Sequence, residues 1–202
     1  MISDYDFILA KSKENGAQPL LQHLMDVASV AKKIAKCLNM DEDTAVCGAL
    51  LHDIGKTSPL FQKTLKKNYV RKPGEFFRHE IASLFFISLV DASKRNAIVE
   101  MIVAHHKSAY NDARGFGILD LDRAEDCFEH HIQGFQEWSI TALKILEELG
   151  FCTHHISVEE AQDNYEYALQ YCFRKVKSYR GYSKWRGLLM AADHYASALS
   201  GI

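Results

Sequence analysis

Apolar residues recur every three to four positions along most of this chain, and this periodicity predicts a fold built from helices. The segment from Pro19 to about Leu38 is the clearest example, with one apolar face made of Leu21, Leu24, Val27, Ala28, Ala31, Ile34 and Ala35. No stretch alternates apolar and polar residues as a half-buried strand does. With three prolines and eleven glycines in 202 residues, the sequence predicts an all-α protein.

Capping residues and the same periodicity place the other helices. Asp41 or Asp43 caps a helix that is expected to end at Gly55, and Ser58 with Pro59 begins a short one. Further helices are expected at about 79–90, 94–106, 158–177 and 182–199, and one helix or a helix pair at 121–149, with loops at 68–77 and 107–117. No repeat, linker or low-complexity tract divides the chain, so residues 1–202 are predicted to form a single domain.

Composition narrows the class of protein. The chain is 48% hydrophobic and 25% charged, which is typical of globular domains, and its apolar runs are too short to span a membrane. The N-terminus lacks the basic and apolar regions of a secretory signal. The five cysteines form no C-x-x-C pair, which indicates reduced thiols rather than a disulfide framework or a cysteine zinc site. A cytoplasmic protein with no membrane partner is therefore expected.

The adjacent pair His52 and Asp53 is the centre of the functional prediction. At a helix end, an imidazole nitrogen and a carboxylate oxygen can both turn toward one metal ion. Five other polar residues lie in apolar segments, where burial without a partner is costly: His23, His79, His105, His106 and Asp193. Each alone has a structural explanation, as a cap, a hydrogen-bonded core histidine or a salt-bridged aspartate. Together they indicate a metal site.

The other histidines are predicted to be non-catalytic. His130 and His131 lie among acidic and amide residues on what reads as a solvated face, and His154 and His155 lie in a polar turn. His194 follows Asp193, but its side chain points about 100° away on a helix.

These residues, in this order, resemble the HD superfamily of metal-dependent phosphohydrolases, and in detail the HD nuclease domain of the type I CRISPR-associated helicase–nuclease. The resemblance runs from about His23 to Leu199 and is carried by the strings His52 to Gln62, Arg78 to Glu80, Ala104 to His106 and Ala192 to Ser197. Lys107 departs from it, since that family often has glycine after the histidine pair. The resemblance implies an all-helical bundle with the metal site at its centre.

The resemblance also implies which residues bind metal. His23, His52, Asp53 and Asp193 would hold one ion, and Asp53, His79, His105 and His106 a second, with Asp53 as the bridge. Two divalent ions about 3.5–4 Å apart acidify a water molecule and clamp phosphate oxygens. The five imidazoles favour manganese, iron, cobalt or nickel over magnesium.

Asp53 and Lys56 are the predicted catalytic residues. Lys56 follows the His-Asp pair closely enough to reach the same cavity and stabilise charge on a phosphate. The alternative is a solvated lysine that complements the helix dipole.

Two basic segments predict a nucleic-acid groove that leads to the metals. The residues assigned to it are Lys63, Lys66, Lys67, Arg71, Lys72, Arg78, Arg174, Lys177, Arg180, Lys184, Trp185 and Arg186. Cations that follow a phosphate backbone, with aromatic residues interleaved, are typical of single-strand binding. Solvated helix faces are the alternative for such charge runs.

The sequence therefore predicts a metal-dependent nuclease that cuts single-stranded DNA, with RNA as a further candidate substrate, in CRISPR interference. The resemblance implies a helicase domain or subunit and an RNA-guided surveillance complex as partners, so the chain is expected to be a stand-alone subunit or the N-terminal part of a helicase–nuclease. Two alternatives stay open. One is an HD phosphohydrolase that acts on deoxynucleotides or cyclic nucleotides, and the other is a non-enzymatic helical module with a degenerate site.

Overall fold

The computed structural model describes residues 5, 7–12, 14, 16–70, 77–103, 105–106, 127–179 and 183–199, and for 175–179 it describes the backbone alone. These residues form nine α-helices joined by turns and short 3-10 helices. Within the same ranges the one strand-like pairing is an isolated bridge between Leu9 and Pro19. The predicted all-α class is confirmed.

The helices, in chain order, are α1 (Leu20–Cys37), α2 (Glu42–Leu51), α3 (Pro59–Gln62), α4 (His79–Leu84), α5 (Ala92–Val103), α6 (Cys127–His131), α7 (Phe135–Glu148), α8 (Val158–Tyr179) and α9 (Lys184–Leu199). Three 3-10 helices lie between them, at Ile54–Thr57, Lys63–Leu65 and Ile87–Leu89.

The predicted helix starts agree with the structure. Pro19 precedes α1, whose apolar face is buried as expected. The carboxylate of Asp41 caps α2 by accepting a hydrogen bond from Thr44 N at 2.7 Å. The Ser58 hydroxyl accepts from Leu60 N at 3.2 Å, and Pro59 is the first residue of α3.

The predicted end of α2 was wrong. The helix ends at Leu51, and Gly55 lies inside the following 3-10 helix, so it is not a helix-terminating glycine. Glycine is needed there for another reason: a Cβ on Gly55 would lie 2.2 Å from the carbonyl oxygen of His79. The backbone of the His-Asp turn approaches the first turn of α4 too closely for any side chain.

Two of the predicted helical segments are divided in the structure. The expected helix at 79–90 consists of α4 and a 3-10 helix. Of the two alternatives for 121–149, one helix or a helix pair, the described part of this segment forms the pair α6 and α7, divided at Gly134, whose φ is +66°. Helix α5 ends at Val103, so His105 and His106 lie beyond it rather than inside it. The predicted loop at 107–117, most of the loop at 68–77 and residues 121–126 lie outside the described residues.

Helix packing brings the predicted ligands to one place. Helix α1 packs against α2 and α9, and both of these also pack against α5. Alanines let the helices approach closely, and they line the shared core together with Val27, Met101, Leu188 and Leu189. A larger apolar cluster, which includes Phe85, Phe86, Phe135 and Trp138, supports α4 and α5 from the other side. The start of α1, the end of α2, the start of α4, the end of α5 and the middle of α9 therefore converge.

All five cysteines have free thiols, as the sequence predicted. None of the helices in the described part of the chain has the length and apolar character that crossing a membrane requires.

Candidate metal centre

The predicted ligands from five separate segments meet in one buried cluster. Two groups of side chains have ligand atoms within 4.8 Å of one another: His23, His52 and Asp193 form one, and Asp53, His79, His105 and His106 form the other. These are all seven residues that the sequence singled out. By these distances Asp53 belongs to the second group, but its other carboxylate oxygen faces His23 and His52 of the first.

Asp53 joins the two groups because each of its carboxylate oxygens faces a different one. Oδ2 lies 3.1 Å from Nε2 of His23 and 3.3 Å from Nε2 of His52. Oδ1 lies 2.9 Å from Nε2 of His79 and 3.5 Å from Nε2 of His105. Asp53 is 1% exposed, so its charge is removed from water and must be balanced inside the cluster.

The first group combines α1, α2 and α9. Nε2 of His23 lies 3.4 Å from Oδ1 of Asp193, and the rings of His23 and His52 have centroids 5.6 Å apart. The Ser197 hydroxyl, one turn further along α9, donates to the same Asp193 oxygen at 3.3 Å. The inward position of these residues follows from the helix faces, since His23 and Asp193 both lie on apolar stripes that face the core.

The second group is built on α4 and the segment after α5. The ring of His79 lies 5.5 Å from that of His105 and 5.0 Å from that of His106, and the two consecutive histidines are 4.1 Å apart. His105 is buried, whereas His106 is exposed. The accessible side of the cluster is therefore at this group.

The tautomers of two ligands are set by helix carbonyls. Nδ1 of His52 donates to the carbonyl of Ala49, and Nδ1 of His105 donates to that of Ile102, both at 2.6 Å. A carbonyl only accepts, so the hydrogen resides on Nδ1 in each ring. The lone pair of Nε2 then points into the cluster, which is the form in which imidazole binds a metal.

Burial and charge set the protonation states. Burial lowers the pKa of His23 and of His79 below its ordinary value. Burial acts to raise the pKa of Asp53, but His52, Lys56 and His79 outweigh it and hold that pKa well below the ordinary value. Burial acts to lower the pKa of His105, but the hydrogen bond and charge of Asp53 outweigh it and raise that pKa. The cluster thus surrounds an ionised carboxylate with imidazoles whose pKa values are shifted in both directions.

The polar atoms that face the centre fit a bound cation. Within the described part of the chain, Nε2 of His52, His79 and His105 and Oδ1 of Asp53 are buried and make no well-formed hydrogen bond. Buried polar atoms without partners are rare in folded proteins because each one loses its interaction with water. Divalent ions coordinated by imidazole nitrogen and carboxylate oxygen would satisfy all four atoms.

Lys56 lies beside the same carboxylate. Its Nζ is 2.6 Å from Oδ2 of Asp53 and 5.5 Å from the ring centroid of Phe61, and that ring packs edge-on against His79. The amide nitrogen of Gln62 donates to the Lys56 carbonyl at 2.7 Å, which ties α3 to this turn. The ammonium therefore reaches the metal centre, as the functional prediction for Lys56 requires.

Ser83 connects the two halves of the cluster through the backbone. Its hydroxyl accepts a hydrogen bond from Gly55 N and donates one to the carbonyl of His79, both at 2.9 Å. The turn that carries Asp53 and the helix that begins with His79 are thereby held in register. No pattern in the sequence distinguishes this serine from an ordinary helix residue.

Glu80 is a site residue that the sequence reasoning did not single out by itself. Its side chain is buried, and Oε1 accepts from Nε of Arg78 at 2.7 Å. Burial acts to raise the pKa of Glu80, but the charges of His79 and Arg78 outweigh it and lower that pKa to about 2. The signal in the sequence was a charged residue on each side of His79, at the start of an apolar helix.

The expected exposure of His131 was wrong. It is completely buried, with Nδ1 donating to the Cys127 carbonyl at 2.6 Å and Nε2 accepting from Arg78 N at 2.9 Å. Burial lowers the pKa of His131 to about 4. Its polar neighbour Glu129 on the same short helix α6 is exposed, whereas the side chain of His131 faces the interior. His154, His155 and His194 are exposed, as expected.

The predicted nucleic-acid residues divide into four sets. Lys66, Lys67, Arg174 and Lys184 are exposed, and Lys63, Trp185 and Arg186 are half-buried, with Trp185 packed against the core. Arg78 departs from the prediction because its side chain is buried and paired with Glu80, so it is not part of an exposed basic surface. Arg71, Lys72, Arg180 and the side chain of Lys177 lie outside the described residues.

Comparison with known protein families identifies the class of protein to which this chain belongs. The family model of the HD domain matches residues 20–150, a span that contains every ligand named above except Asp193. Helices that surround histidine and aspartate ligands of this kind define a metal-dependent phosphohydrolase. The chain belongs to the HD domain family. Searches of curated proteins and of solved structures found no significant match.

Proposed function

We propose that this HD domain is a two-metal nuclease that hydrolyses phosphodiester bonds in single-stranded DNA. The observation that carries the proposal is the second ligand group, because His79, His105 and His106 are three histidines beyond the set of His23, His52, Asp53 and Asp193 that one ion needs. A shared Asp53 carboxylate with an oxygen facing each group is the arrangement that bridges a pair of ions.

Bound divalent ions would supply an acidified water molecule and neutralise charge on the phosphate. The histidines and Asp193 would hold the ions, and their predominance of imidazole nitrogen favours manganese, iron, cobalt or nickel over magnesium. Asp53 would contribute one carboxylate oxygen to each ligand group. Because most of the ligands are completely or almost completely buried, bulk water reaches the centre from a limited side.

The substrate approaches from the side of His106, the exposed member of the cluster. Lys56 is 8% exposed and its ammonium is directed into the centre, so it is placed to donate hydrogen bonds to phosphate oxygens as their negative charge grows. The ring of Phe61 lies beside both Lys56 and His79, 5.5 Å from the Lys56 ammonium and 5.2 Å from the ring of His79.

A basic segment next to the centre favours a polymer over a single nucleotide. The chain continues from Lys56 through α3 to Lys63, Lys66 and Lys67, and the last two are exposed. Cations spread along a segment follow several successive phosphates, whereas a nucleotide pocket needs them at one point. Single strands are the favoured form because a flexible backbone can reach a buried metal centre.

The motif resemblance extends the proposal to CRISPR interference. A helicase domain or subunit would deliver unwound DNA to this centre, and an RNA-guided surveillance complex would recruit both. The closely matched string from His52 to Gln62, with its Lys56 and Gln62 contacts, is what supports this setting.

The test is cleavage of circular single-stranded DNA, with linear single strands, duplex DNA and single-stranded RNA in parallel. Each reaction contains manganese, nickel, cobalt, iron or magnesium, and Asp53→Asn prepared identically reports contaminating nucleases. Nicking of the circle or degradation of the linear strand by the wild type alone supports the proposal. Release of product from deoxynucleotides or cyclic nucleotides, with every polynucleotide left intact, would refute it in favour of a small-nucleotide phosphohydrolase.

A further inference from the structure

His79 differs from the two buried ligands whose tautomers are set by helix carbonyls. His52 and His105 each follow a helical turn, so a carbonyl three residues earlier accepts their Nδ1 hydrogen. His79 is the first residue of α4, and Arg78 directly before it has an extended rather than a helical backbone. A side chain that attracts the Nδ1 hydrogen would hold it there and leave the lone pair of Nε2 directed into the ligand cluster.

The carboxylate of Glu80 is placed for this task. Nδ1 of His79 lies 3.8 Å from Oε2 of Glu80, while Nε2 on the opposite side of the ring lies 2.9 Å from Oδ1 of Asp53. At 3.8 Å the attraction is electrostatic rather than a hydrogen bond. Glu80 is 3% exposed, so its charge acts on the ring with little screening by water.

Glu80 is itself held in place. Nε of Arg78 donates to Oε1 at 2.7 Å, which leaves Oε2 as the oxygen nearer to His79. The backbone of Arg78 is fixed by its N–H donation to His131, whose ring stacks on Phe77 with centroids 5.0 Å apart. Burying the Arg78–Glu80 charge pair costs desolvation free energy, which can exceed the attraction between the two charges. A functional role therefore explains the pair better than a contribution to stability.

We propose that Glu80 is a positioning residue for His79, and through it for the ion in the second group. Its carboxylate attracts the Nδ1–H side of the ring electrostatically, orients the ring and adds negative charge behind a ligand set that otherwise has three imidazoles and a shared aspartate. Outer carboxylates of this kind raise metal affinity by about 10-fold to 100-fold. The inference rests on the two-ion part of the proposed function.

The test is titration of manganese into metal-free protein, followed by calorimetry. In Glu80→Gln, the first ion is expected to bind as in the wild type, and the second about 10-fold to 100-fold more weakly. Glu160→Gln is the matched control, because Glu160 also faces a histidine, with Oε1 2.9 Å from Nε2 of His154, but on the exposed surface. The absorption spectrum of bound cobalt reports the same loss at the second position independently of catalysis.

Glu80→Asp keeps the charge, and it provides the test if the glutamine variant does not fold. Its affinity for the second ion is expected to lie between those of the wild type and the glutamine variant. Unchanged affinity for both ions, or equal weakening of both, would overturn the proposal. Metal binding is measured without substrate, so a failure here is distinct from a failure of the nuclease proposal, which would appear as two bound ions with no cleavage.

Discussion

Nζ of Lys56 lies 2.6 Å from Oδ2 of Asp53, the same oxygen that faces His23 and His52. The ammonium therefore balances the charge of a carboxylate that is buried among histidine rings. An ion bound at this oxygen would take over that balance. Lys56 would then be available to a phosphate, so one side chain serves both the folded protein and the reaction.

Replacing Lys56 with Met is expected to lower the cleavage rate about 100-fold to 1,000-fold, because a charge-stabilising donor to the phosphate is lost. Manganese affinity is expected to be undiminished, since Lys56 competes with the ion for the Asp53 oxygen. Single-turnover cleavage and calorimetry measure the two quantities separately. Lys56→Arg, which retains a cation, should keep part of the rate. A Lys56→Met variant with the wild-type rate would restrict the lysine to a structural role.

The two ligand groups predict that single substitutions remove ions separately. His106→Ala is expected to lower the bound metal from two ions to one, because His106 belongs to the second group alone. His106 is exposed, so its removal should leave the helical circular dichroism spectrum unchanged. Asp53→Asn should weaken both ions, since its oxygens face both groups. Metal analysis after dialysis gives the stoichiometry.

His194→Ala is the control for the loss of metal. This histidine is exposed and adjacent to Asp193, but belongs to neither ligand group within the described residues. It should retain both ions. Equal metal content in the His106 and His194 variants would contradict the division of the cluster.

The basic segment next to the centre predicts a salt dependence. Replacing Lys63, Lys66 and Lys67 together with Gln should reduce the slope of log affinity against log salt concentration by about 2 for single-stranded DNA, at about 0.7 per phosphate contact. A triple replacement of the exposed residues Lys32, Lys33 and Lys36 on α1 makes the same change in charge elsewhere. Fluorescence anisotropy with a labelled oligonucleotide, using Asp53→Asn to prevent cleavage, measures both slopes. Identical slopes in the two variants would remove this segment from the binding surface.

Much of the site was predictable because buried polar residues interrupt apolar helix faces. His23 and Asp193 stand on such faces, and the core places them toward the cluster. Contacts between residues that are far apart in the sequence could not be predicted in this way. Gly55 has the local pattern of a helix-ending glycine, but its role depends on the His79 carbonyl 24 positions later in the sequence. His131 is buried by Phe77 and the Arg78 backbone, and the residues next to it in the sequence give no sign of these contacts.

Gly55→Ala is expected to destabilise the protein by about 1–3 kcal/mol, because its Cβ would meet the His79 carbonyl at 2.2 Å and the backbone must shift. The shift separates Asp53 from His79, so affinity for the second ion should fall as well. Gly187→Ala on α9 is the control, since nothing lies within 4 Å of its Cβ and alanine favours a helix. Urea denaturation of both metal-free variants measures the difference. A Gly55→Ala variant as stable as the wild type would show that the turn and α4 can separate freely.

The buried His131 predicts a loss of stability in acid. Burial lowers its pKa to about 4, whereas the unfolded chain binds the proton at the ordinary value of 6.5. Between these values the unfolded state carries more protons, so the free energy of unfolding falls as the pH falls from 6.5 to about 4. The full contribution is about 3 kcal/mol at 1.36 kcal/mol per pKa unit. The nearby charged groups act in opposite directions, since Glu80 raises this pKa while His130 and Arg78 lower it.

His131→Gln isolates this contribution, because glutamine retains an acceptor for Arg78 N and does not titrate. Urea denaturation of the metal-free proteins at pH 7.5 and pH 4.5 gives the unfolding free energies. The variant is expected to lose less stability than the wild type between the two values, by about 2–3 kcal/mol. Other carboxylates and histidines titrate equally in both proteins, so the difference between them belongs to His131. Parallel pH profiles would mean that His131 is protonated in the folded protein as readily as in the unfolded chain.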